Sequence, residues 1–218
     1  HGTIDKFEGD AIIAFWGAPL VLPEHATVAC YAAIEMQQRN EEMRQMLREQ
    51  NRPLLFTRMG LNSGPVVVGN MGSADRMDYT MMGDVVNLAA RLEGANKFYK
   101  TFTMVSGSTY ELAKDDIDSR QLDIIRVVGK KEPVHVYEVL ARKNETGSEM
   151  SGVVEQYLKG LKLYQDRNFA DAVKEFEKVL DIDPEDGPSL TYVKRCGVFL
   201  ETPPEKDWDG VYTFTEKG

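Results

Sequence analysis

The spacing of the apolar residues changes once along this chain of 218 residues, at a polar segment that runs from Ala141 to Gly152. Upstream of this segment, short runs with the alternation of β-strands are mixed with longer runs at helical spacing. Downstream of it, the spacing is helical. A polar segment of small residues without an apolar period is typical of a linker. We therefore predict a first domain over residues 1–141, a linker over 142–152, helices over 153–200 and a tail over 201–218.

The first domain is predicted to mix strands and helices without strict alternation. This order indicates an α+β fold, with a mixed, mainly antiparallel sheet that carries its helices on one face. We expect Asp84 to cap the start of the second long helix. The predicted elements are a hairpin over 3–16 with its turn at 8–10, a helix over 24–49, strands over 55–61, 66–70 and 77–82, a helix over 85–98, a strand over 102–105, a short helix over 108–113, and strands near 121–128 and 134–140.

Charge and hydropathy argue against two features in this segment, a nucleic-acid-binding surface and a membrane-spanning helix. The formal net charge is -9, which argues against the uniformly basic surface of a nucleic-acid-binding protein. No run approaches the ~18 consecutive apolar residues that suggest a membrane-spanning helix. The two cysteines, Cys30 and Cys196, lie far apart in helix-like segments, and we predict two buried thiols in a reducing compartment.

Two pairs of polar residues are candidates for a functional site. Lys6 and Asp10 flank the turn of the predicted hairpin, whereas Asn87 and Arg91 are four residues apart and therefore share one face of a helix. Taken alone, each pair is also what a solvated turn or an exposed helix face would contain, so the surrounding sequence has to decide.

That surrounding sequence resembles the class III adenylate and guanylate cyclases. Residues 78–91, Asp-Tyr-Thr-Met-Met-Gly-Asp-Val-Val-Asn-Leu-Ala-Ala-Arg, resemble the helix-entry motif of this family. Residues 6–11, 58–64 and 129–137 resemble its metal and base-recognition hairpin, its central strand and turn, and its closing strand. The matches occur in family order over residues 3–140, and they imply the ferredoxin-like nucleotidyl cyclase fold.

The resemblance implies a homodimer whose active sites lie at the interface and use ATP with two Mg²⁺ or Mn²⁺ ions. Asp10 would be one of two metal-binding aspartates, and its carboxylate suits a hard cation. Asn87 would orient the ribose, and Arg91 would stabilise charge on the α-phosphate. Lys6 and Thr80 would recognise the base, with Lys6 serving the site opposite to that of Asp10.

The two base-recognition residues favour adenine over guanine. Lys6 donates hydrogen bonds and so suits N1 of adenine, while the hydroxyl of Thr80 can accept from the adenine amino group. Related guanylate cyclases usually have an acidic residue in place of Lys6. Because a threonine hydroxyl can also donate, the strictness of this preference stays open.

Two departures from the family pattern bear on activity. The family's first metal aspartate and its triphosphate loop precede the hairpin and have no match here. We therefore expect that this chain is N-terminally truncated and is weak or inactive alone. We also expect it to be the cytoplasmic part of a longer protein, which a region upstream could anchor to a membrane. Val128 stands where many members have a triphosphate-binding lysine, so Lys130, or Lys131, is a candidate replacement.

The C-terminal helices have the residue spacing of a tetratricopeptide-type pair, followed by the first helix of an incomplete repeat. Small residues would allow the pair to approach closely, but so short an array cannot bury a continuous core alone. It should pack on the first domain, on its copy in a dimer, or on a protein partner; a plain helical hairpin is the alternative. The residues at these spacings are Gly160, Leu163, Phe169, Ala172, Phe176, Leu180 and Pro184.

Three functional hypotheses remain besides an adenylate cyclase. The enzyme could be a guanylate cyclase. The chain could instead be a non-catalytic nucleotide-binding module, for which Val128 is the main support. Finally, the helices could form an adaptor for which the first domain is only a dimerisation scaffold.

Overall fold

The computed structural model of the protein describes residues 1–126 and 132–214. The strands and helices, in chain order, are β1 (Thr3–Glu8), β2 (Ala11–Phe15), α1 (His25–Glu49), β3 (Met59–Leu61), β4 (Val67–Ser73), β5 (Arg76–Met82), α2 (Asp84–Tyr99), β6 (Thr103–Ser106), α3 (Gly107–Ala113), β7 (Ile117–Arg126), β8 (Val134–Arg142), α4 (Ser148–Gln165), α5 (Phe169–Ile182), α6 (Gly187–Glu201) and β9 (Tyr212–Thr213).

The central sheet has the order β3-β6-β8-β7-β9 and mixes both orientations. β3 runs parallel to β6 and β9 parallel to β7, while β8 is antiparallel to both β6 and β7. β1 pairs with β2, and β4 pairs with β5, as two antiparallel hairpins outside this sheet. The predicted α+β class and mixed sheet are therefore present.

Helices cover both faces of the central sheet, so the expectation of helices on one face was wrong. Met104 belongs to the apolar cluster under α2, whereas the next residue, Val105, belongs to the cluster under α1. Successive side chains of a strand point to opposite faces, and both residues are fully buried. A helix face predicted from periodicity does not specify which face of the sheet it will cover.

The element boundaries differ from the predicted ones where tertiary packing replaces strand pairing. Residues 55–58 are not in a strand; instead Phe56 stacks on Phe102 at 5.8 Å and lies under the guanidinium of Arg44.

The N-cap of α2 is Gly83, and Asp84 is the first helical residue, so Asp84 is not the predicted cap. It still places a negative charge in the first turn, where the helix dipole favours it.

The C-terminal helices pack on the first domain through α4 and α6. Their own core includes Tyr157, Phe176 and Tyr192, and α4 starts at Ser148, within the segment predicted as a linker. The hydroxyls of Tyr157 and Tyr192 both donate to the backbone oxygen of Leu122 in β7, each at 2.9 Å. The helical segment is therefore part of the same folded body as the sheet.

Among residues 1–126 and 132–214, each helix is too short or too polar to span a bilayer. Both cysteines are buried free thiols, as predicted.

Candidate active site

The first part of the site is the β1–β2 hairpin, which carries Lys6 and Asp10. Its register shifts between Ile4 and Lys6, and such an irregularity re-aims the side chain at that point. The residue at the shift is Asp5, whose side chain is only 4% exposed, while the neighbouring Lys6 side chain is 44% exposed.

Asp5 connects the two residues that were predicted to recognise the base. The hydroxyl of Thr80, a buried residue of β5, donates to Oδ2 of Asp5 at 3.0 Å. The ammonium nitrogen of Lys6 lies 3.7 Å from the same oxygen. The structure therefore brings Lys6 and Thr80 to one carboxylate, although they are 74 positions apart in the sequence.

The second part of the site is α2, which carries Asn87 and Arg91 and is anchored tightly on β3. A Cβ atom on Gly60 would lie 2.2 Å from the backbone oxygen of Ala89 and from the backbone nitrogen of Glu93, so only glycine permits this approach. The buried amide of Asn96 donates to the backbone oxygen of Met59 at 2.9 Å. These contacts determine where Asn87 and Arg91 lie relative to the sheet.

The start of α2 is tied to the turn after β3. The amide of Asn62 donates to the backbone oxygen of Val85 at 2.9 Å, and its side-chain oxygen accepts from Ser106 at 2.6 Å. Because one side chain bridges the turn, the helix start and the end of β6, the first turn of α2 is positioned by the sheet.

Asn87 and Arg91 lie one turn apart on α2, with Asn87 exposed and Arg91 partly buried. Nη1 of Arg91 is buried and has no hydrogen-bond partner in the part of the chain that the structure describes. Leaving a buried donor unpaired is unfavourable, and a guanidinium with an unpaired N–H is suited to bind an anionic ligand such as a phosphate.

Asp10 lies in the turn of the first hairpin and is exposed. Among residues 1–126 and 132–214, no group of three or more His, Cys, Asp or Glu residues could hold a metal ion. Val128, Lys130 and Lys131 lie outside the described residues, so the prediction for the triphosphate lysine stays a prediction.

Comparison with known proteins identifies the family. The sequence model of the family described as "Adenylate and Guanylate cyclase catalytic domain" matches residues 5–141, which are most of the chain. The chain belongs to this family. The matched residues include most of the two hairpins, strands β3, β6, β7 and most of β8, and helices α1 to α3.

Related cyclases agree with this assignment. Adenylate cyclase 1 of Rhizobium meliloti is 39% identical over 139 residues, which are 64% of this chain and 21% of that protein. The terminal-differentiation-specific adenylate cyclase of Dictyostelium discoideum is 34% identical over 200 residues, which are 89% of this chain and 9% of that protein. The second similarity continues into the C-terminal helices. The chain thus spans about a fifth or less of the length of these relatives.

Solved structures of the family share the fold. The adenylyl cyclase CyaB from P. aeruginosa is 38% identical, with a TM-score of 0.59 over 67% of this chain and 75% of that one. The guanylyl cyclase Cya2 is 33% identical, with a TM-score of 0.57 over 67% of this chain and 73% of that one. The fold is therefore shared by enzymes named for different purine nucleotides.

Sequence reasoning missed two residues that shape the candidate site, Asp5 and Gly60. The signal for Asp5 was present, because a charged residue in a strand that already carries Lys6 needs either solvent or a partner. Its burial depends on β5 lying beside β1, and a single sequence does not show that contact between two hairpins. Gly60 lies in a segment that was matched to the family. The reason why a glycine is needed there, the close approach of α2, is visible only in three dimensions.

Proposed function

We propose that this chain is the catalytic part of an adenylate cyclase, which converts ATP to 3′,5′-cyclic AMP and pyrophosphate in intracellular signalling. The observation that carries the proposal is the pairing of Lys6 and Thr80 at the carboxylate of Asp5, with distances of 3.7 Å and 3.0 Å. A donor and an acceptor side by side match N1 and the amino group of adenine.

The reaction needs groups that position the ribose and stabilise charge on the α-phosphate. The 3′-hydroxyl attacks the α-phosphorus in line with the departing pyrophosphate, and the catalytic contribution of the protein is mainly electrostatic. Asn87 is exposed on α2 and would orient the ribose. Arg91, one turn further along, would direct its unpaired guanidinium nitrogen at the α-phosphate.

Asp10 would hold a metal ion. Mg²⁺ is usually bound by one or two carboxylates together with substrate phosphates rather than by a complete protein cage, so an exposed carboxylate in a turn fits this ion. When bound, two Mg²⁺ or Mn²⁺ ions would activate the attacking oxygen and balance charge on the leaving group. Lys130 would contact the triphosphate.

A homodimer with active sites at the interface is the proposed assembly. The two hairpins expose several large apolar side chains, which supports an interface there, since protein–protein interfaces cover exposed apolar surface. In such a dimer, Asp10 would serve one site and Lys6 the other. The exposed apolar residues are Ile4, Phe7, Ile12, Val67, Met77 and Met82.

The helical segment is proposed to be a tetratricopeptide-like unit with an outer surface for a protein partner. In support, a Cβ atom on Gly160 in α4 would lie 2.8 Å from the ring of Phe176 in α5, so this small residue sets the close packing of the pair. We further propose that the segment is cytoplasmic, where ATP is available, within a protein that a separate part could anchor to a membrane.

The test uses the full-length gene product with Mg²⁺ or Mn²⁺ and with ATP or GTP as substrate. We expect cyclic AMP, identified by chromatography and mass spectrometry, to form faster than cyclic GMP. Faster formation of cyclic GMP would make the protein a guanylate cyclase. Binding of ATP without any cyclic product would favour the non-catalytic nucleotide-binding module.

A further inference from the structure

The hydrogen bond between Thr80 and Asp5 has a direction, and that direction bears on substrate choice. A carboxylate accepts hydrogen bonds and donates none, so in the 3.0 Å contact the hydroxyl of Thr80 must be the donor. The ammonium of Lys6, 3.7 Å from the same carboxylate oxygen, stabilises its negative charge. With its single proton engaged by Asp5, the oxygen of Thr80 can only accept further hydrogen bonds.

We propose that Asp5 is a specificity-determining residue, which makes the Thr80 hydroxyl an obligate acceptor and thereby selects a 6-aminopurine over a 6-oxopurine nucleotide. This inference rests on the proposed cyclase function. Asp5 acts through Thr80 and is therefore a positioning residue. Guanine and hypoxanthine present an acceptor at O6 and a donor at N1, so both would meet a group of the wrong polarity at Thr80 and Lys6.

The burial of Asp5 supports a role beyond packing. Its side chain is 4% exposed, and Oδ1 has no hydrogen-bond partner among the described residues. A buried acceptor without a partner lowers stability, so apolar side chains would suit packing better at this position. A carboxylate has one property that those side chains lack, which is that it imposes the direction of the Thr80 hydrogen bond.

The irregular register of the hairpin supplies the geometry. Ile4 pairs with Ala14 and Lys6 with Ile13, so the shift falls at Asp5. In a regular strand, Asp5 and Lys6 would point to opposite faces. Here the side chains of both residues reach one site, and Thr80 meets the carboxylate from the neighbouring hairpin.

The experiment compares kcat/KM for ATP, ITP and GTP in the full-length protein and in the Asp5→Asn variant. An asparagine amide can either accept from the Thr80 hydroxyl or donate to it, so the hydroxyl is free to turn. We expect the ATP:ITP and ATP:GTP ratios of kcat/KM to fall by about tenfold, the size of one hydrogen bond between mismatched groups. ITP isolates the N1 and O6 edge because it lacks the 2-amino group of GTP.

These ratios do not depend on how much of the variant is folded, since both substrates are measured on the same preparation. The charge-matched control is Asp78→Asn, an exposed carboxylate on the same strand as Thr80, for which the ratios should stay as in the wild type. If Asp5 acts through Thr80, the Asp5→Asn substitution must also lose its effect on the ratios once the Thr80 hydroxyl is removed. In the Thr80→Val background, Asp5→Asn should therefore leave the ratios unchanged.

Two results would overturn the proposal. One is an Asp5→Asn variant that keeps the wild-type preference for ATP. The other is a shift that persists in full in the Thr80→Val background, which would show that Asp5 acts through Lys6 or through the fold. If the wild-type protein forms no cyclic nucleotide, or prefers GTP, the proposed function itself fails, and this outcome is distinct from both.

Discussion

Arg195 in α6 forms an ion pair with Asp123 in β7, with 2.6 Å between Nη1 and Oδ2, and the two side chains are only 6% and 2% exposed. The hydroxyl of Tyr99, at the end of α2, donates to the same carboxylate oxygen at 2.6 Å. Burial, reinforced by the charge of Asp123, raises the pKa of the Tyr99 phenol. One carboxylate therefore joins the sheet, the helix that carries Arg91 and the C-terminal helices.

We predict that Asp123→Ala strongly destabilises the chain. Removing one partner of a buried ion pair leaves the other charge without compensation, which costs about 3–5 kcal/mol. Urea unfolding followed by circular dichroism measures the free energy of unfolding. The control is Glu42→Ala, which removes an exposed partner of Arg39 and should leave the midpoint unchanged.

A double variant shows whether the uncompensated charge of Arg195 causes the loss of stability. Replacing both partners, with Arg195→Met and Asp123→Asn together, removes the uncompensated charge and keeps an acceptor for Tyr99. This double variant should be more stable than Asp123→Ala. Equal losses of stability in the two proteins would mean that packing around Asp123, and not the charge of Arg195, determines the effect.

Arg91→Ala should lower kcat for cyclic AMP formation by about 10²-fold or more, because it removes a group that stabilises charge in the transition state. Binding of ATP should change far less, so KM separates this role from general substrate binding. Lys97→Ala removes an exposed cation from the last turn of the same helix, and its kcat should match that of the wild type. A large rise in KM with unchanged kcat would assign Arg91 to ground-state binding instead.

Gly60→Ala should reduce both stability and activity. The new methyl group would lie 2.2 Å from backbone atoms of α2, and backbone cannot move aside as a flexible side chain can. The helix must shift, and Asn87 and Arg91 shift with it. Thermal unfolding and cyclase assays on the same preparation measure the two losses.

The matched glycine control is Gly152→Ala in α4, where a Cβ atom would meet nothing within 4 Å. Alanine is favoured over glycine inside a helix by up to about 1 kcal/mol, so this variant should be as stable as the wild type or more so. If Gly60→Ala behaved in the same way, the close approach of β3 to α2 would not be needed for the fold.

The two cysteine thiols should be unreactive in the folded protein. Burial raises the pKa of Cys30 to about 12 and that of Cys196 to about 11. Because the thiolate is the reactive form, labelling by a disulfide reagent at about pH 8 should be slow until a denaturant is added. A Glu145→Cys variant places a third thiol at an exposed position, and it should label at once.

The same pKa shifts have a consequence for stability at alkaline pH. A folded-state pKa above the unfolded value of about 8.5 means that the folded protein holds these protons more tightly. The thiols therefore contribute stability below that pH, and the contribution is lost as the pH rises toward 11 and 12. Replacing Cys30 by Ala should flatten this part of the pH dependence.

Much of the local structure follows from the sequence by itself. Gly9 and Asp10 form the turn of the first hairpin as predicted, because turn residues between two apolar runs act locally. α2 extends over Asp84–Tyr99, close to the predicted 85–98, since apolar spacing marks a helix without tertiary contacts. A spacing of four residues was also enough to place Asn87 and Arg91 on one face of it.

The relations between distant segments were decided only in the tertiary structure. Periodicity shows that a strand or helix has an apolar face, but not which surface that face will cover, so the positions of α1 and α2 on opposite faces were missed. The burial of Asp5 depends on β5, which only the folded chain brings beside β1. The contacts Arg195–Asp123 and Thr80–Asp5 join residues 72 and 75 positions apart. A charged side chain is buried only where the fold brings an ion-pair or hydrogen-bond partner to it, and a single sequence does not show which distant segment supplies that partner.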